Sequence, residues 1–349
     1  KLSDGTWAVL VTSGYNNVSP GNAHGIVLVL NAKTGAVIKK IDTGAGSTTD
    51  AVAGCSAIPC PAGLAKISAY VASGSTNNTA LRVYGGDLLG NVWRIDLTEL
   101  NGAGGTAGVQ LLATLANSSN VRQPVTGRPE VGYVNGKTVV FIGTGAYLGV
   151  SDVSTTGQQS IYAILDPLTS ASGASGLYGS PRGSTCTGSI KANCFVKQTL
   201  TDNASNIRTA TSTVSYAVDF TTMYGWYVDL PETGERANTD PDLQLGTLAY
   251  TTNIPSSSNA CSVGGSSYIN FLDYRTGLTV PGSDRIGNLL TNGSTTALAT
   301  APTLVRLPNG KVISITNLSD GSTVTTNTPI SATNLRTRRV SWRELISSN

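Results

Sequence analysis

RVYGGDLLGNVWRID, residues 82–96, is the stretch that decides the fold of this chain. Runs of β-branched and aromatic residues stand on both sides of Asp87–Gly90. An aspartate can hydrogen-bond the backbone of a turn, and a glycine tolerates a positive φ. The pattern therefore predicts a strand, a tight turn and a second strand. We interpret the pair as the inner hairpin of a β-propeller blade.

The strand pattern of this hairpin recurs along the chain. Five apolar runs end on an asparagine or aspartate, and a threonine follows within a few residues. The closing residues are Asn31, Asp96, Asp166, Asp229 and Asp273. Most of the intervals exceed the ~40–50 residues of a kelch or WD blade, which predicts insertions between strands. The sequence thus predicts an all-β chain in which residues 1–349 form one β-propeller domain with long inserted loops.

The composition narrows the classes of function. Charged residues make up 12% of the chain, the net charge is +3, and glycine contributes 40 residues, a composition that suits an exported β-protein with many turns. The absence of a basic run with interleaved aromatic residues argues against a nucleic-acid partner. No apolar run approaches the ~18 residues of a membrane span. Because Lys1 begins almost directly on a strand, we expect the chain to be part of a longer exported protein.

The cysteines predict two local disulfides. Cys55 and Cys60 lie in one turn-rich loop, and Cys186 and Cys194 lie in another, with spacings that suit short closed loops. A zinc site needs four cysteine or histidine ligands, and the chain has a single histidine. We therefore favour disulfides and an oxidising compartment. Cys261 is left over, either buried and free or paired outside this chain.

Six stretches resemble the C-terminal propeller of the PilY/PilC family, large tip-associated proteins of bacterial type IV pili. They are Trp7–Asn16, Arg82–Asp96, Phe141–Gly149, Gln158–Ile164, Gly225–Arg236 and Arg338–Leu345. The resemblance implies a modified, seven-bladed propeller, and the number of blades within this chain stays open. It also implies a role in pilus assembly, opposition to retraction, surface adhesion and twitching motility.

The same resemblance implies location and partners. A protein of this kind is exported and lies at the cell surface, at the pilus tip or in the outer membrane and periplasm. Its expected partners are minor pilins and the pilus tip complex, the upstream region of the same polypeptide, and a host-cell surface. In the family that larger upstream region would lie before Lys1. The expected work of the chain is protein binding.

The chain departs from the family at a calcium loop that many members carry just before this hairpin. The resemblance places the ligand positions on Ser73, Ser75, Asn77 and Leu81. Calcium takes six to eight oxygens, several of them from carboxylates, and none of these four residues has a carboxylate. We predict that the loop binds no calcium, that Asx and Ser/Thr turns hold it, and that the chain needs no cofactor.

The first alternative is an enzyme. Asn31–Lys39 is similar to the blade motif of quinoprotein dehydrogenases, but a lysine stands where those enzymes carry a tryptophan, and no adjacent cysteine pair exists. A Ser-His-Asp hydrolase could use only His24, which sits in a loop-like segment. Paired carboxylates suit glycoside hydrolysis, yet Asp240 and Asp242 flank a proline in a polar turn. These observations favour a protein that is not an enzyme.

The second alternative is a sugar- or host-binding adhesin module with no part in pilus assembly. Inserted loops on a rigid scaffold make good binding surfaces. The candidate insertions are Ala45–Ala65, Ser170–Val196 and Thr251–Ser266. Exposed aromatic residues are further candidates, because aromatic side chains are enriched at binding hot spots. They are Tyr15, Tyr147, Tyr178 and Trp342.

Overall fold

The computed structural model describes residues 1–74, 76–102, 104–171, 176–259 and 262–330. The predictions on Ser75, Cys261, Trp342 and Arg338–Leu345 lie outside these ranges. Within them the chain forms strands and turns, with two short 3-10 helices, Val150–Ser154 and Pro181–Ser184. The predicted all-β class is confirmed. None of the helices in the described ranges has the length and hydrophobicity of a membrane span.

Two antiparallel sheets form the first part of the fold. Blade 1 contains β1 (Ala8–Thr12), β2 (Ile26–Asn31) and β3 (Val37–Asp42). Blade 2 contains β4 (Ile67–Ser73), β5 (Asn77–Gly86), β6 (Asn91–Asp96) and, after the short pair β7 (Leu100–Asn101) and β8 (Gly104–Gly105), β9 (Gly108–Thr114).

A ten-stranded sheet joins blades 3 and 4. Blade 3 contains β10 (Glu130–Val134), β11 (Lys137–Gly143), β12 (Ser160–Asp166) and β15 (Gly225–Asp229). The hairpin β13 (Phe195–Asp202) and β14 (Ile207–Ser212) connects it to blade 4. Blade 4 contains β16 (Asp242–Gln244), β17 (Thr247–Asn259), β18 (Ser262–Asp273) and β19 (Gly287–Leu289).

The last described sheet is blade 5. It contains β22 (Thr303–Arg306), β23 (Val312–Asn317) and β24 (Thr323–Asn327), and follows the short pair β20 (Thr291–Asn292) and β21 (Thr295–Thr296). The first strands of blades 2 to 5, namely β4, β10, β16 and β22, lie next to one another. The blades therefore radiate from a common centre, as in a propeller.

Four apolar cores lie between successive blades. In β11, Val139 and Phe141 face the core shared with blade 4, whereas Val140 and Ile142 face the core shared with blade 2. This alternation follows from the two-residue period of a strand. Each fully buried side chain of this size contributes ~1.5–3 kcal/mol. A sheet that is buried on both faces by its neighbours is a blade, and the predicted β-propeller is confirmed.

The five predicted strand ends are confirmed, but two interpretations were wrong. Arg82–Asp96 spans the second and third strands of blade 2, so it is not the inner hairpin. Asp229 ends the outer strand of blade 3, whereas Asp96, Asp166 and Asp273 end third strands and Asn31 ends the middle strand of blade 1. Those four bond their own turn through a side-chain oxygen, as in Asn31 to Lys33 and Thr34. Asp229 instead forms an ion pair with Arg182, which lies in the 3-10 helix Pro181–Ser184.

Asp87 organises the turn that the sequence analysis singled out. Its buried carboxylate accepts hydrogen bonds from the Leu89 and Asn91 amides, the Asn91 side chain and the Trp93 indole, at 2.8–3.0 Å. Gly90 has a φ of 77°, which favours glycine. Burial raises the pKa of Asp87 to about 6, although these hydrogen bonds lower it. The Asp87 side chain therefore fixes the turn, but ionisation of its buried carboxyl group is less favourable than in water.

This pKa predicts a pH dependence of stability. The folded value of about 6 lies above the ordinary value of 3.8, so the folded state holds the proton more tightly than the unfolded state. Asp87 should lose roughly 3 kcal/mol of its contribution to the free energy of unfolding as the pH rises from about 4 to about 6. Urea unfolding at several pH values, with Asp87→Asn as the non-titrating control, measures it. Parallel curves for the two proteins would contradict the prediction.

Candidate functional site

The connection between β11 and β12 presents the most exposed apolar side chain of the described residues. It begins within the stretch Phe141–Gly149 and contains the 3-10 helix Val150–Ser154. Val150 is 92% exposed and Leu148 is 48% exposed. We call residues 145–155 the clamped loop. These two neighbouring apolar side chains, held out into solvent, are the candidate binding surface.

Arg236 is hydrogen-bonded to this loop at three positions. Its guanidinium donates to the backbone oxygens of Ala146 at 2.9 Å, Asp152 at 2.7 Å and Thr155 at 2.9 Å. Arg236 is 3% exposed, and burial lowers the pKa of its guanidinium below the usual value. Because the charge is used on three carbonyl groups of one loop, it fixes the shape of that loop.

Two further residues define the clamped loop. The Asp152 carboxylate accepts hydrogen bonds from the Leu148 amide at 2.6 Å and the Gly149 amide at 3.2 Å. Gly145 has a φ of 122°, and a Cβ atom there would lie 2.3 Å from Cβ of Arg236. Only glycine allows the loop and Arg236 to approach this closely. The exposed side chains therefore sit on a preorganised backbone, which reduces the entropy lost on binding.

Glu235, the residue before Arg236, links this part of the chain to the sheet. Glu235 accepts two hydrogen bonds from Arg208 of β14, at 2.6 and 2.9 Å. Arg208 also donates to Asp202 at 2.8 Å, and its guanidinium lies 3.4 Å from the ring centre of Tyr268. Burial lowers the pKa of Arg208, but the charges of Glu235 and Asp202 outweigh burial and raise it. The stretch Gly225–Arg236 thus ties the clamped loop to β14 and β18.

Both predicted disulfides are present. Cys55 is bonded to Cys60, and Cys186 is bonded to Cys194. The second bond lies in the core between blades 3 and 4, whereas most residues around the first are exposed. The two disulfides therefore differ in environment although they close loops of similar length.

Three of the four predicted calcium positions, Ser73, Asn77 and Leu81, lie in the part of the chain that the structure describes. Ser73 ends β4 and its hydroxyl bonds that of Thr76. The Asn77 side-chain oxygen accepts from the amide of Thr79 at 3.2 Å and its hydroxyl at 2.6 Å. Leu81 lies within β5 and packs on the core between blades 2 and 3. None of these three side chains carries a carboxylate, the charged ligand that calcium sites commonly use, so the set fits calcium poorly. The ranges that the structure describes contain no group of three potential metal ligands.

The structure does not assemble the enzyme sites that were weighed. His24 Nδ1 lies 2.9 Å from Asp42, and the Ser13 hydroxyl bonds the backbone oxygen of His24 and not its ring. Asp240 accepts from Lys66 at 2.7 Å, and Asp242 accepts from the Leu304 amide at 3.0 Å. These carboxylates link blades to one another. The motif Asn31–Lys39 forms the turn and edge of blade 1.

Two predicted surface features were wrong. Thr251–Ser266 is not an inserted loop, because its described residues belong to the long hairpin of β17 and β18. Tyr178 is not an exposed contact residue: its hydroxyl bonds Leu165 and its ring packs against Phe195. Polar residues dominate the first segment, and a tyrosine ring can serve in a core or at a surface, so composition did not distinguish these cases.

The PilY1 beta-propeller domain family matches residues 1–199. The chain belongs to the PilY1 β-propeller family. A type IV pilus biogenesis factor PilY1 homolog of Xylella fastidiosa (strain Temecula1) is 27% identical over 300 residues, which cover 79% of this chain and 18% of that protein. Type IV pilus biogenesis factor PilY1 of Pseudomonas aeruginosa (strain PAO1) is 25% identical over 313 residues, which cover 79% of this chain and 25% of that protein.

A solved PilY1 structure supports the same fold. The C-terminal domain of Pseudomonas aeruginosa PilY1 is 20% identical, with a TM-score of 0.65, and the match covers 94% of this chain and 71% of that domain. The resemblance inferred from short motifs is therefore confirmed. The chain spans about a fifth to a quarter of the length of the curated PilY1 relatives named here.

The sequence analysis missed the residues that build the clamped loop. It quoted Phe141–Gly149 and Gly225–Arg236 as separate stretches, and the structure brings them into contact through Arg236. Arg236 itself was within a quoted stretch, Gly225–Arg236. Its partners, however, lie 81 to 90 residues earlier in the chain, and no local pattern reports such contacts.

Removing the Arg236 side chain should release the clamped loop. We expect Arg236→Met to lower the free energy of unfolding by about 2–4 kcal/mol, because three partly buried carbonyl groups lose their charged donor. Amide hydrogen exchange across residues 146–155 should become about tenfold or more faster. Arg236→Lys keeps the charge but not the fork of donors, so it should fall in between. Unchanged exchange in Arg236→Met would contradict the clamp.

Proposed function

We propose that this chain is a protein-binding propeller domain of a type IV pilus biogenesis factor. It acts at the pilus tip, supports pilus extension against retraction, and contributes to adhesion and twitching motility. The observation that carries the proposal is the clamped loop, where two PilY1-family motifs meet to present Leu148 and Val150. Minor pilins and the tip complex are the proposed partners. Disulfides and family membership support an exported protein at the cell surface or in the envelope.

We further propose that the function is binding without catalysis. The charged groups at the clamped loop form hydrogen bonds within the protein. Arg236 donates to backbone oxygens, and Asp152 accepts from backbone amides. The apolar side chains of Leu148 and Val150 remain exposed, and apolar side chains on a rigid loop favour contact with another protein. A host-cell surface is a further proposed partner of the whole factor.

Substitution of the exposed side chains tests this function. The double variant Leu148→Ser and Val150→Ser should reduce the number of surface pili and the twitching zone several-fold, with normal protein levels. The matched control is Leu168→Ser with Val121→Ser, which removes a leucine and a valine that are 49% and 60% exposed elsewhere. The control should behave as wild type.

The pilus phenotype itself needs a genetic check. Pili lost on deletion of the gene should return when retraction is also disabled, since the factor opposes retraction. Unchanged pilus numbers in the deletion strain, with only surface attachment lowered, would instead support a pure adhesin. Quinone-dependent dye reduction by the purified protein would support the dehydrogenase alternative. Either outcome would contradict the proposed function.

We also propose that the turn at Ser73–Asn77 works without calcium. The Asn77 amide oxygen is already used on Thr79, and no carboxylate occupies the family's ligand positions. Calorimetric titration of the purified chain should therefore show no micromolar calcium binding. Binding that disappears in Asn77→Ala would overturn this proposal without touching the pilus role.

A further inference from the structure

A cleft of about 560 Å³ is lined jointly by blade 2 and by the insertions predicted at Ala45–Ala65 and Ser170–Val196. Blade 2 contributes Asn91 and Trp93 of β6 and residues 109–111 of β9. The other lining includes residues 42–46, residues 52–53, Arg122 and Ala171. A cleft of this size holds a ligand as large as a short peptide.

Arg122 is the unusual member of this lining. Its Nη1 atom is buried, and no group among the described residues accepts a hydrogen bond from it. Burial lowers the pKa of the Arg122 guanidinium, and the negative charge of Asp87 only partly opposes this shift. A buried charged donor without an acceptor is unfavourable, and such atoms are rare in folded proteins. A role in binding an anion explains why the chain keeps one here.

The aliphatic part of Arg122 is packed in place. Gly54 has a φ of 94°, and a Cβ atom there would lie 2.7 Å from Cγ of Arg122. The backbone of Arg122 pairs with that of Ala116. The Asn117 side chain accepts a hydrogen bond from the Val121 amide at 3.0 Å and closes the turn between them. An arginine that is already positioned loses little entropy when it binds an anion.

The other polar side chains of the cleft are already engaged. Asn91 and the Trp93 indole donate to Asp87, at 2.9 and 2.8 Å. The Gln110 side chain donates to a backbone oxygen at 2.7 Å and accepts from the Ala171 amide at 2.8 Å. A sugar needs hydrogen bonds for several hydroxyl groups, and these donors are used within the protein. The lining therefore favours a ligand with one charged group and an otherwise apolar surface.

The charges around the cleft favour a single negative charge on the ligand. Asp42 lines the cleft, accepts from the Gly44 amide at 2.8 Å and lies 2.9 Å from His24 Nδ1. Asp87 adds a second carboxylate whose charge acts on Arg122. Like charges repel, so one guanidinium beside these two groups suits a carboxylate better than a doubly charged phosphate. The fork of donors on an arginine also matches the two oxygens of a carboxylate.

We propose that this cleft binds a peptide carboxylate flanked by apolar side chains, with Arg122 as its charged partner. The carboxylate would accept paired hydrogen bonds from the guanidinium, and its apolar neighbours would pack on Val52 and Val109. Val109 is 38% exposed and therefore accessible to a ligand. The cleft is separate from the clamped loop, which belongs to the connection between β11 and β12, so binding here does not depend on the proposed pilus function.

Titration of the purified chain with matched peptides tests the binding. Acetyl-Leu-Glu-Leu-amide should shift the NMR signals of the Arg122 Nε–H and the Trp93 indole, with a Kd in roughly the millimolar range for so small a ligand. Acetyl-Leu-Gln-Leu-amide has nearly the same shape without the charge and should bind about tenfold or more weakly. Acetyl-Leu-Gln-Leu with a free carboxyl end distinguishes a chain terminus from an acidic side chain as the source of the carboxylate.

Substitution of Arg122 gives a second readout. In Arg122→Met, affinity for the glutamate peptide should fall about tenfold or more, whereas the midpoint of urea unfolding should stay the same or rise, because an unpaired buried charge is removed. Arg122→Lys keeps the charge but not the fork of donors, so its affinity should be intermediate. Arg285→Ala removes an arginine on the surface and should bind the peptide as wild type does.

Several results would overturn the proposal. One is the absence of binding by the glutamate peptide, and another is equal affinity for the glutamate and glutamine peptides. A clear loss of stability in Arg122→Met would show that Arg122 has a structural role instead. Tighter binding of glucuronate or of inorganic phosphate than of the glutamate peptide would assign the cleft to a sugar or to an adventitious ion.

Discussion

Replacing Arg208 with methionine should lower the free energy of unfolding by about 3–5 kcal/mol. Arg208 is fully buried and bonds both oxygens of Glu235, which is itself buried. Methionine fills a similar volume but leaves the Glu235 carboxylate without its charged partner. An uncompensated buried charge is among the most destabilising defects in a protein core. The shift of the midpoint in guanidinium unfolding measures the effect.

Two comparisons make this result specific. Arg285→Ala removes a surface ion pair with Asp284, and we expect no measurable change. The double variant Arg208→Met and Glu235→Gln should recover part of the loss, because the remaining partner is neutral. A single variant that unfolds at the wild-type midpoint would show that the pair contributes nothing. Such a result would also remove the anchor we assign to the clamped loop.

Replacing Cys186 and Cys194 together with serine should cost about 3–5 kcal/mol. The disulfide they form closes a loop with a sequence separation of 8 residues, and loop entropy accounts for roughly 2.5 kcal/mol of this. The rest comes from burial, because the cysteines are 3% and 0% exposed and serine would place two hydroxyl groups in the core. Chemical unfolding of the oxidised proteins measures the difference.

The other disulfide is the matched control. Cys55 and Cys60 have a sequence separation of 5 residues, so the loop entropy lost on their replacement is nearly the same, roughly 2 kcal/mol. Their loop lies outside the four apolar cores, and Cys55 is half-buried whereas Cys60 is buried, so serine would place one hydroxyl group in a buried position instead of two. We expect the smaller loss for Cys55→Ser with Cys60→Ser. Equal losses for both pairs would mean that core burial adds nothing to the Cys186–Cys194 bond.

The local elements of the fold could be predicted from sequence. Asn31, Asp96, Asp166 and Asp273 end strands because each side chain bonds a backbone amide two residues later. A hydrogen bond between residues two positions apart depends on a few neighbouring residues, so it can be predicted from the sequence. The disulfides were predicted for the same reason, since each links cysteines within one short loop.

The order of strands within a blade was harder to predict. Asp229 carries the same strand-end signal as the other four residues, yet it ends an outer strand and pairs with Arg182. The hairpin β13–β14 also separates β12 from β15 in the chain while these two strands pair in the sheet. Local patterns predict where a strand ends but not which strands it pairs with. The interval from Asp166 to Asp229 therefore does not correspond to the interval between equivalent strands of two blades.

Sequence alone determined that this protein is an all-β propeller of the PilY1 family, with strands that end where their Asx turns begin and two loops closed by disulfides. The tertiary structure alone decided the clamped loop and the buried Arg208–Glu235 pair. Turns depend on hydrogen bonds between residues two to four positions apart. The Arg208–Glu235 pair and the bonds of Arg236 to the clamped loop join residues 27 to 90 positions apart, and only the packing of one blade against the next brings such residues together.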